Sequence, residues 1–277
     1  MNRHTKNVAV EVGLNLLNLL FGILIVSPIL LGLSMSFMSA SEMASIPPNI
    51  LPSGLKVLNY VKALHSVPIF QFMANSFIVC FIVITVQVIT CSLSAYAFSF
   101  FEFKGRNLLF MLVLSTMMIP ADSTIMANYL TISHLKLQDT YLALVLPYLT
   151  SAMGIFLMRQ YFLTVPKELK EAAILDGCGD VKFLTRILMP ISKPVLASLV
   201  IYIFIQTYNQ FLWPLLVTNK SERRTVQIGM SILKTAEAID YGVVLAGAVL
   251  ILIPSIFVFV FGQKALIKGM TSGAVKG

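Results

Sequence analysis

Three groups of polar residues interrupt an otherwise apolar chain, and each is of a type that could do chemistry. The first lies between Pro166 and Pro194, where Glu168, Glu171, Asp176 and Asp180 are mixed with Lys167, Lys170, Lys182 and Arg186. Carboxylates in a short surface helix either grip a partner or serve the helix dipole, the latter at about 0.3–1 kcal/mol each. The second group is Gln206, Asn209, Gln210 and Trp213, spaced i, i+3, i+4, i+7, which gives one polar face on a helix. Amides suit hydroxyl groups and an indole plane suits a sugar ring; amides also hydrogen-bond well between helices, so two readings of this face stand. Tyr202 and Tyr208 are lesser candidates on the same segment. The third is Asp122 after Pro120, an acid well inside an apolar run. An intramembrane acid is suited to proton coupling, while one that follows a helix break also suits a cap or a wet vestibule.

Other chemistries find little support. Cys80, Cys91 and Cys178 form no CxxC pair, and His4, His65 and His134 are isolated, so no metal site is expected. No nucleophile–base pair and no G-x-x-x-x-G-K-[ST] phosphate loop occurs, so the chain is expected to be non-catalytic and to hold no cofactor.

The elements that must position these groups are membrane helices. The chain has 277 residues, 57% hydrophobic and 12% charged, with a mean hydropathy of +0.87, which excludes an ordinary water-soluble domain. Crossing about 30 Å of hydrocarbon takes roughly 20 apolar residues. Runs at about 12–37, 72–99, 108–130, 141–162, 194–217 and 242–262 meet that length and predict six spans. The first run is too long for a cleaved leader and is read as a retained helix. Pro120 and Pro214 fall inside the third and fifth runs, where they free carbonyls that only a cavity or neighbouring helices can satisfy. The net charge of +8 belongs with membrane topology, not with nucleic acid: most of the 20 Lys and Arg fall in alternate loops that include both ends. Both termini are therefore expected to be cytoplasmic; the Arg223/Arg224 pair on the other side weakens this bias without reversing it. The 38–70 stretch, with Pro47, Pro48, Pro52 and Gly54, reads as an outer loop folded against the helix ends.

The 163–193 loop has its own helical logic. Pro166 suits a first turn, Glu168 and Glu171 suit the dipole, and Gly177 suits a left-handed stop. Leu169, Ala172 and Ala173 share one face, with small alanines that would admit a partner closely. Asp180 is placed to cap a second helix with an apolar stripe of Phe183, Leu184, Ile187 and Leu188, ending at Pro190. A helix–Gly–helix elbow of this kind is suited to docking.

At these residues the chain resembles a known family. Glu171-Ala172-Ala173, then Gly177, then Ile187-Leu188-Met189-Pro190 match the EAA loop of binding-protein-dependent ABC importer permeases; Met189 stands where the family usually has Leu, and Cys178 where Ala is common. The resemblance extends over most of the chain and is closest to the carbohydrate-uptake subfamily, the maltose-type second permease subunit, with glycerol-3-phosphate permeases also similar. Supporting stretches are Asn75-Ser76, Pro166-Lys167-Glu168-Leu169, Asn209-Gln210-Phe211-Leu212-Trp213-Pro214-Leu215, and the ending Lys268-Gly269-Met270-Thr271-Ser272-Gly273-Ala274-Val275-Lys276-Gly277.

The resemblance implies an all-α, type I ABC importer permease fold. A 1–11 N-terminus, a 12–262 transmembrane domain and a 263–277 tail are the expected parts. It implies coupling to an ATPase through Glu171, Ala172, Ala173, Asp176 and Gly177, with a second contact from Lys268, Gly269, Thr271, Gly273 and Lys276. Partners implied are a second homologous permease, two ATP-binding subunits that carry ATP and Mg, and an extracytoplasmic solute-binding protein, in a bacterial or archaeal inner membrane. In this frame Gln206, Asn209, Gln210 and Trp213 line the path of a carbohydrate. The alternative from another class is an ion-coupled secondary transporter, with Asp122 as its coupling acid.

Overall fold

In hydrocarbon no water is present to satisfy a backbone N–H or C=O, so apolar runs must close their hydrogen bonds locally. The computed structural model describes residues 3–47, 49–237 and 240–271, with side chains for all of these but 3–10, 121–122 and 265–271; the described residues form helices and no strand. In chain order the helices are α1 (Arg3–Met35), α2 (Ala40–Met43), α3 (Leu58–Ser66), α4 (Ile69–Phe100), α5 (Arg106–Ser115), α6 (Ala121–His134), α7 (Tyr141–Val145), α8 (Ala152–Phe162), α9 (Lys167–Leu175), α10 (Asp180–Phe183), α11 (Met189–Ile191), α12 (Lys193–Tyr208), α13 (Leu212–Val217), α14 (Val226–Ala236) and α15 (Tyr241–Thr271).

Three stretches are unbroken and long enough to span, Glu11–Met35, Ile69–Phe100 and Tyr241–Lys264, and three more are bent pairs, the last of them Asp180–Ile191 with Lys193–Tyr208. The third apolar run breaks at Pro120, where Arg106–Met118 and Ser123–His134 meet at 98°. The fourth breaks by 49° between Tyr148 and Ala152, a break the sequence reading did not anticipate. The fifth breaks at 209–211, between α12 and α13, where in a continuous helix the Pro214 ring would meet the Gln210 carbonyl. Pro214 sits in the first turn of α13, where its missing N–H has no intrahelical acceptor to forfeit. Pro28 and Pro254 lie inside α1 and α15, which continue through them.

Contacts divide the chain into two units. The first comprises 1–69 and 230–252. Its organising residue is Asn59, 5% exposed, whose Nδ2 donates to the carbonyls of Ser36 and Met38 at 2.8 Å each. These are freed carbonyls at the end of α1, and an amide on α3 satisfies both. Ser39 and Glu42 form a capping box on α2, and Glu42 also accepts from the Ser53 hydroxyl and backbone and pairs with Lys56 at 3.6 Å. These hydrogen bonds, that from the Ser39 N–H foremost, hold the Glu42 carboxyl well below its ordinary value. Lys62 pairs with Asp240 at 3.3 Å and Ser66 donates to Glu237 at 2.8 Å, so the 38–70 segment is folded.

The second unit comprises 70–229 and 253–277. Its core is built from α4, α8, α12 and the limb around Leu188, with Val83, Cys91, Ala95, Met158, Leu188 and Leu199 shielded from solvent. Gly154 permits the closest approach of α8: a Cβ there would meet Cys91 Sγ at 2.7 Å and Leu199 Cδ1 at 3.2 Å. Asn75 and Ser76, in the second turn of α4, tie down the 218–226 connection. Asn75 donates to the carbonyls of Glu222 and Arg224 at 2.9 Å and accepts from Tyr141 Oη at 2.7 Å; Ser76 Oγ accepts the Val226 N–H at 2.9 Å.

The break in the fourth run is satisfied from α4. Gln87 donates to the Tyr148 carbonyl at 2.6 Å, Thr90 to Leu149 at 2.9 Å and the Cys91 thiol to Ser151 at 3.6 Å. Their i, i+3, i+4 spacing puts the three donors on one face. Two outcomes follow for thermal unfolding of the detergent-solubilised protein. Thr90→Val should cost about 1–3 kcal/mol by leaving the Leu149 carbonyl unpaired, with Thr85→Val, whose hydroxyl bonds only within its own helix, as the near-neutral control. Gly242→Ala should cost a similar ~1–3 kcal/mol, because the added Cβ would lie 2.7 Å from the Met38 carbonyl oxygen and 2.6 Å from Asn59 Nδ2.

Candidate functional site

The 163–193 loop folds as α9, a glycine turn, and a second limb. Helix α9 ends in a Schellman motif, in which the Gly177 N–H donates to Ile174 O at 2.9 Å and the Cys178 N–H to Ala173 O at 2.8 Å. Gly177 has φ +71, which makes glycine the fitting residue at this stop. The second limb departs from expectation. Gly179, not Asp180, is the N-cap, and the limb runs on as α10, a π-helical stretch Leu184–Leu188 and α11, past Pro190 to Ile191. There it turns by 83° into α12.

The exposed face of α9 includes Ala172 but not Ala173. Glu171, Ala172, Asp176 and Gly177 are exposed, but Ala173 is 5% exposed and packs into the core. Ala172 and Ala173 therefore point in different directions, and Ala173 helps seat the helix on its own chain. In its place the exposed face carries Ile174 at 58% and Leu175 at 89% exposure, with Val181 beside the turn also exposed. Ile174, Leu175 and Val181 thus form a small apolar group among the charges of a polar loop.

Lys170 fastens the elbow, a role the sequence reading did not see. Its ammonium lies 5.2, 5.5 and 5.1 Å from the rings of Tyr96, Phe100 and Phe101, and 3.2 Å from Asp180 Oδ1. Tyr96 Oη donates to the same carboxylate at 2.5 Å. One cation thus joins α9, the second limb and the end of α4. The Tyr96 hydrogen bond, then the Lys170 charge, hold Asp180 below its ordinary carboxylate value. The signal available in sequence was the aromatic cluster Tyr96, Phe98, Phe100, Phe101 and Phe103.

The second group of candidates lies where three spans are broken. A cavity of about 700 Å³ is lined by residues of all three interruptions: Thr116 and Ile119, Tyr148, Thr150 and Ser151, and Gln210 to Trp213. That volume falls within the roughly 300–1,000 Å³ typical of ligand sites. A smaller chamber of about 190 Å³ shares Tyr148, Thr150, Ser151, Tyr202 and Gln210 with it and adds Gln87 and Gln206.

The expected i, i+3, i+4, i+7 face does not exist as such, because α12 ends at Tyr208 and Asn209 is its C-cap. Gln206 and Gln210 line chambers, but Asn209 lines neither: its Nδ2 donates to Ile205 O at 2.8 Å and its Oδ1 accepts from Gln227 at 3.2 Å. Trp213 is 2% exposed, and its indole N–H is spent on the Ala143 carbonyl at 3.0 Å. It lines the cavity as a buttress, edge-on to Tyr148 with ring centres 6.4 Å apart. Asn128, Tyr148 and Thr150 were missed; the signal was Pro147 followed by Thr150-Ser151, a helix stop and N-cap hidden inside an apolar run.

Some expectations fall outside the described residues. Asp122 belongs to the first turn of α6, but its side chain is not among those described. The tail candidates Lys268, Gly269 and Thr271 continue α15 with side chains outside the described set, and Gly273 and Lys276 lie outside the described residues altogether.

Residues 57–272 match the family described as "Binding-protein-dependent transport system inner membrane component". The chain is 32% identical over 281 residues to the arabinooligosaccharides transport system permease protein AraQ of Bacillus subtilis, covering 100% of both chains. It is 36% identical over 262 residues to the sn-glycerol-3-phosphate transport system permease protein UgpE of Brucella melitensis, covering 91% of this chain and 93% of that protein. In fold it is similar to a chain from the crystal structure of a bacterial ABC transporter involved in the import of the acidic polysaccharide alginate. That similarity has a TM-score of 0.82 at 24% identity, covering 95% of this chain and 98% of the other. These similarities give no support to the ion-coupled alternative. With its broken spans, its helix–glycine–helix elbow and this match over most of its length, the chain belongs to the binding-protein-dependent transport system inner membrane components, the permease subunits of ABC importers.

Proposed function

We propose that the chain forms half of the translocation pathway of a carbohydrate importer and is driven through its 163–193 elbow by a separate ATPase. The observation that carries the coupling assignment is the exposed face of α9, where Glu171, Ala172, Ile174, Leu175 and Asp176 stand clear of the chain's own core. A helix with a charged rim and a bare Leu175 is suited to a groove on a partner, and Ala172 admits a close approach. ATP and Mg belong on two copies of that partner. A second, homologous permease completes the pathway, and an extracytoplasmic solute-binding protein delivers the substrate. Helix α1, whose most apolar stretch has no buried residue, is suited to lipid and to that second permease.

In this arrangement the elbow and both termini face the cytoplasm of a bacterium, as the distribution of basic residues favours. Closure of the ATPase dimer would move the elbow, and Lys170 would pass that motion to the end of α4, since its cation joins α9, Asp180 and Tyr96. Alternating access then follows from rigid-body movement of the spans. The names of the relatives, for arabinooligosaccharides and glycerol 3-phosphate, support a carbohydrate or a small polyol ester as cargo. The tail residues Lys268, Gly269, Thr271, Gly273 and Lys276 are proposed as a second ATPase contact.

Two outcomes test this. A Glu171→Lys/Gly177→Asp double variant should reach the membrane at normal levels yet lose ATP-driven uptake and the uptake-linked part of ATP hydrolysis; the glycine change alone strains a left-handed turn by about 1–2 kcal/mol. Wild-type uptake by the double variant would refute the coupling role. A cysteine at Ala172 should cross-link to the ATPase while one at the buried Ala173 does not. Lys170→Met should leave that cross-link in place but lower uptake per ATP hydrolysed, and unchanged stoichiometry would show that Lys170 only stabilises the loop.

A further inference from the structure

Resting on the importer reading above, we propose that the chamber at the three helix breaks binds an uncharged, polyhydroxylated ring and rejects phosphate esters. Among the described residues that line its two parts there is no Lys, Arg or His. What they offer is neutral. Asn128, Thr150, Gln206 and Gln210 bring amides and a hydroxyl whose side chains make no hydrogen bond to the described residues. Gln87, 7% exposed, spends its Nε2 on the Tyr148 carbonyl and keeps Oε1 buried without a partner at the wall of the smaller chamber. Tyr148 adds an aromatic plane beside these groups. Paired donors and acceptors beside a ring face are what a sugar's hydroxyls and C–H face require, and a lone carbonyl oxygen on Gln87 calls for an incoming donor.

An anion fares differently. The helix starts at Ala121 and Ala152 bring positive dipole ends toward the cavity, but their free N–H groups are partly spent: Gly154 N–H on Ser151 Oγ and Ser123 N–H on Pro120 O. The basic turn is engaged elsewhere, with Arg223 over the Tyr141 ring at 4.6 Å and Arg224 donating to Asn219 O. A phosphate ester in this chamber would be stripped of water with no cation among the described lining residues in return. The chain is thereby separated from relatives named for glycerol 3-phosphate by the charge of its cargo.

The test uses the intact importer in detergent, with Thr150→Cys as the reporter and Cys178→Ser to remove the partly exposed native thiol. Maleimide labelling is followed with arabinotriose, maltotriose or glycerol 3-phosphate present. A neutral sugar at about ten times its Kd should slow labelling about tenfold, and glycerol 3-phosphate should not. Adding Gln210→Lys should make glycerol 3-phosphate protective. Equal protection by glycerol 3-phosphate with Gln210 in place, or protection by neither sugar, overturns the proposal. ATP-driven uptake, measured separately on the unmodified importer, decides the permease reading itself.

Discussion

The structure depends on one constraint: a carbonyl released by a helix break inside an apolar span must find a donor on the same protein. At the fourth run three carbonyls, of Tyr148, Leu149 and Ser151, are met by Gln87, Thr90 and Cys91 on a single face of α4. Near the fifth, the Trp213 indole N–H reaches the Ala143 carbonyl across to α7. Each bond joins a broken helix to a neighbour, so the breaks are local in sequence but stable only as a set. That explains why polar residues sit on α4, which lines the main cavity nowhere. They support the breaks that do line it.

Such breaks open places in an apolar bundle where polar groups can be presented to a solute. An unbroken span offers side chains alone, packed at full density. A broken one opens volume and turns amides such as Gln210 toward it. The chamber therefore arises from the same interruptions that Gln87 and Thr90 make affordable. On the proposal above, its neutral lining and its partly spent helix starts set what can enter.

The loop outside the spans obeys a different rule, because it is solvated on one side and packed on the other. Ala173 seats α9 on the core, Gly177 turns the chain, and Lys170 lies among Tyr96, Phe100, Phe101 and Asp180. A cation over three rings and beside a carboxylate draws on both the quadrupoles of the rings and direct charge attraction. Side chains of three elements converge on it, so the exposed rim of α9 is tied to the end of α4.

The sequence by itself determined the helical class, the apolar runs, the elbow with its left-handed glycine and the family, because these rest on local quantities: hydropathy over a span's length, a Gly at a helix stop, and a motif at fixed spacing. Tertiary structure decided the rest. Periodicity placed Gln206, Asn209, Gln210 and Trp213 on one face, but that holds only while the helix continues, and α12 ends at Tyr208. Composition could not tell Ala172 from Ala173, whose difference is which way each points from α9. Nor could it assign Trp213 to the Ala143 carbonyl, 70 residues away, or bring Lys170 to Tyr96. Hydrogen bonds and charge contacts across such distances depend on how helices pack, and packing is a property of the folded chain, not of any window within it.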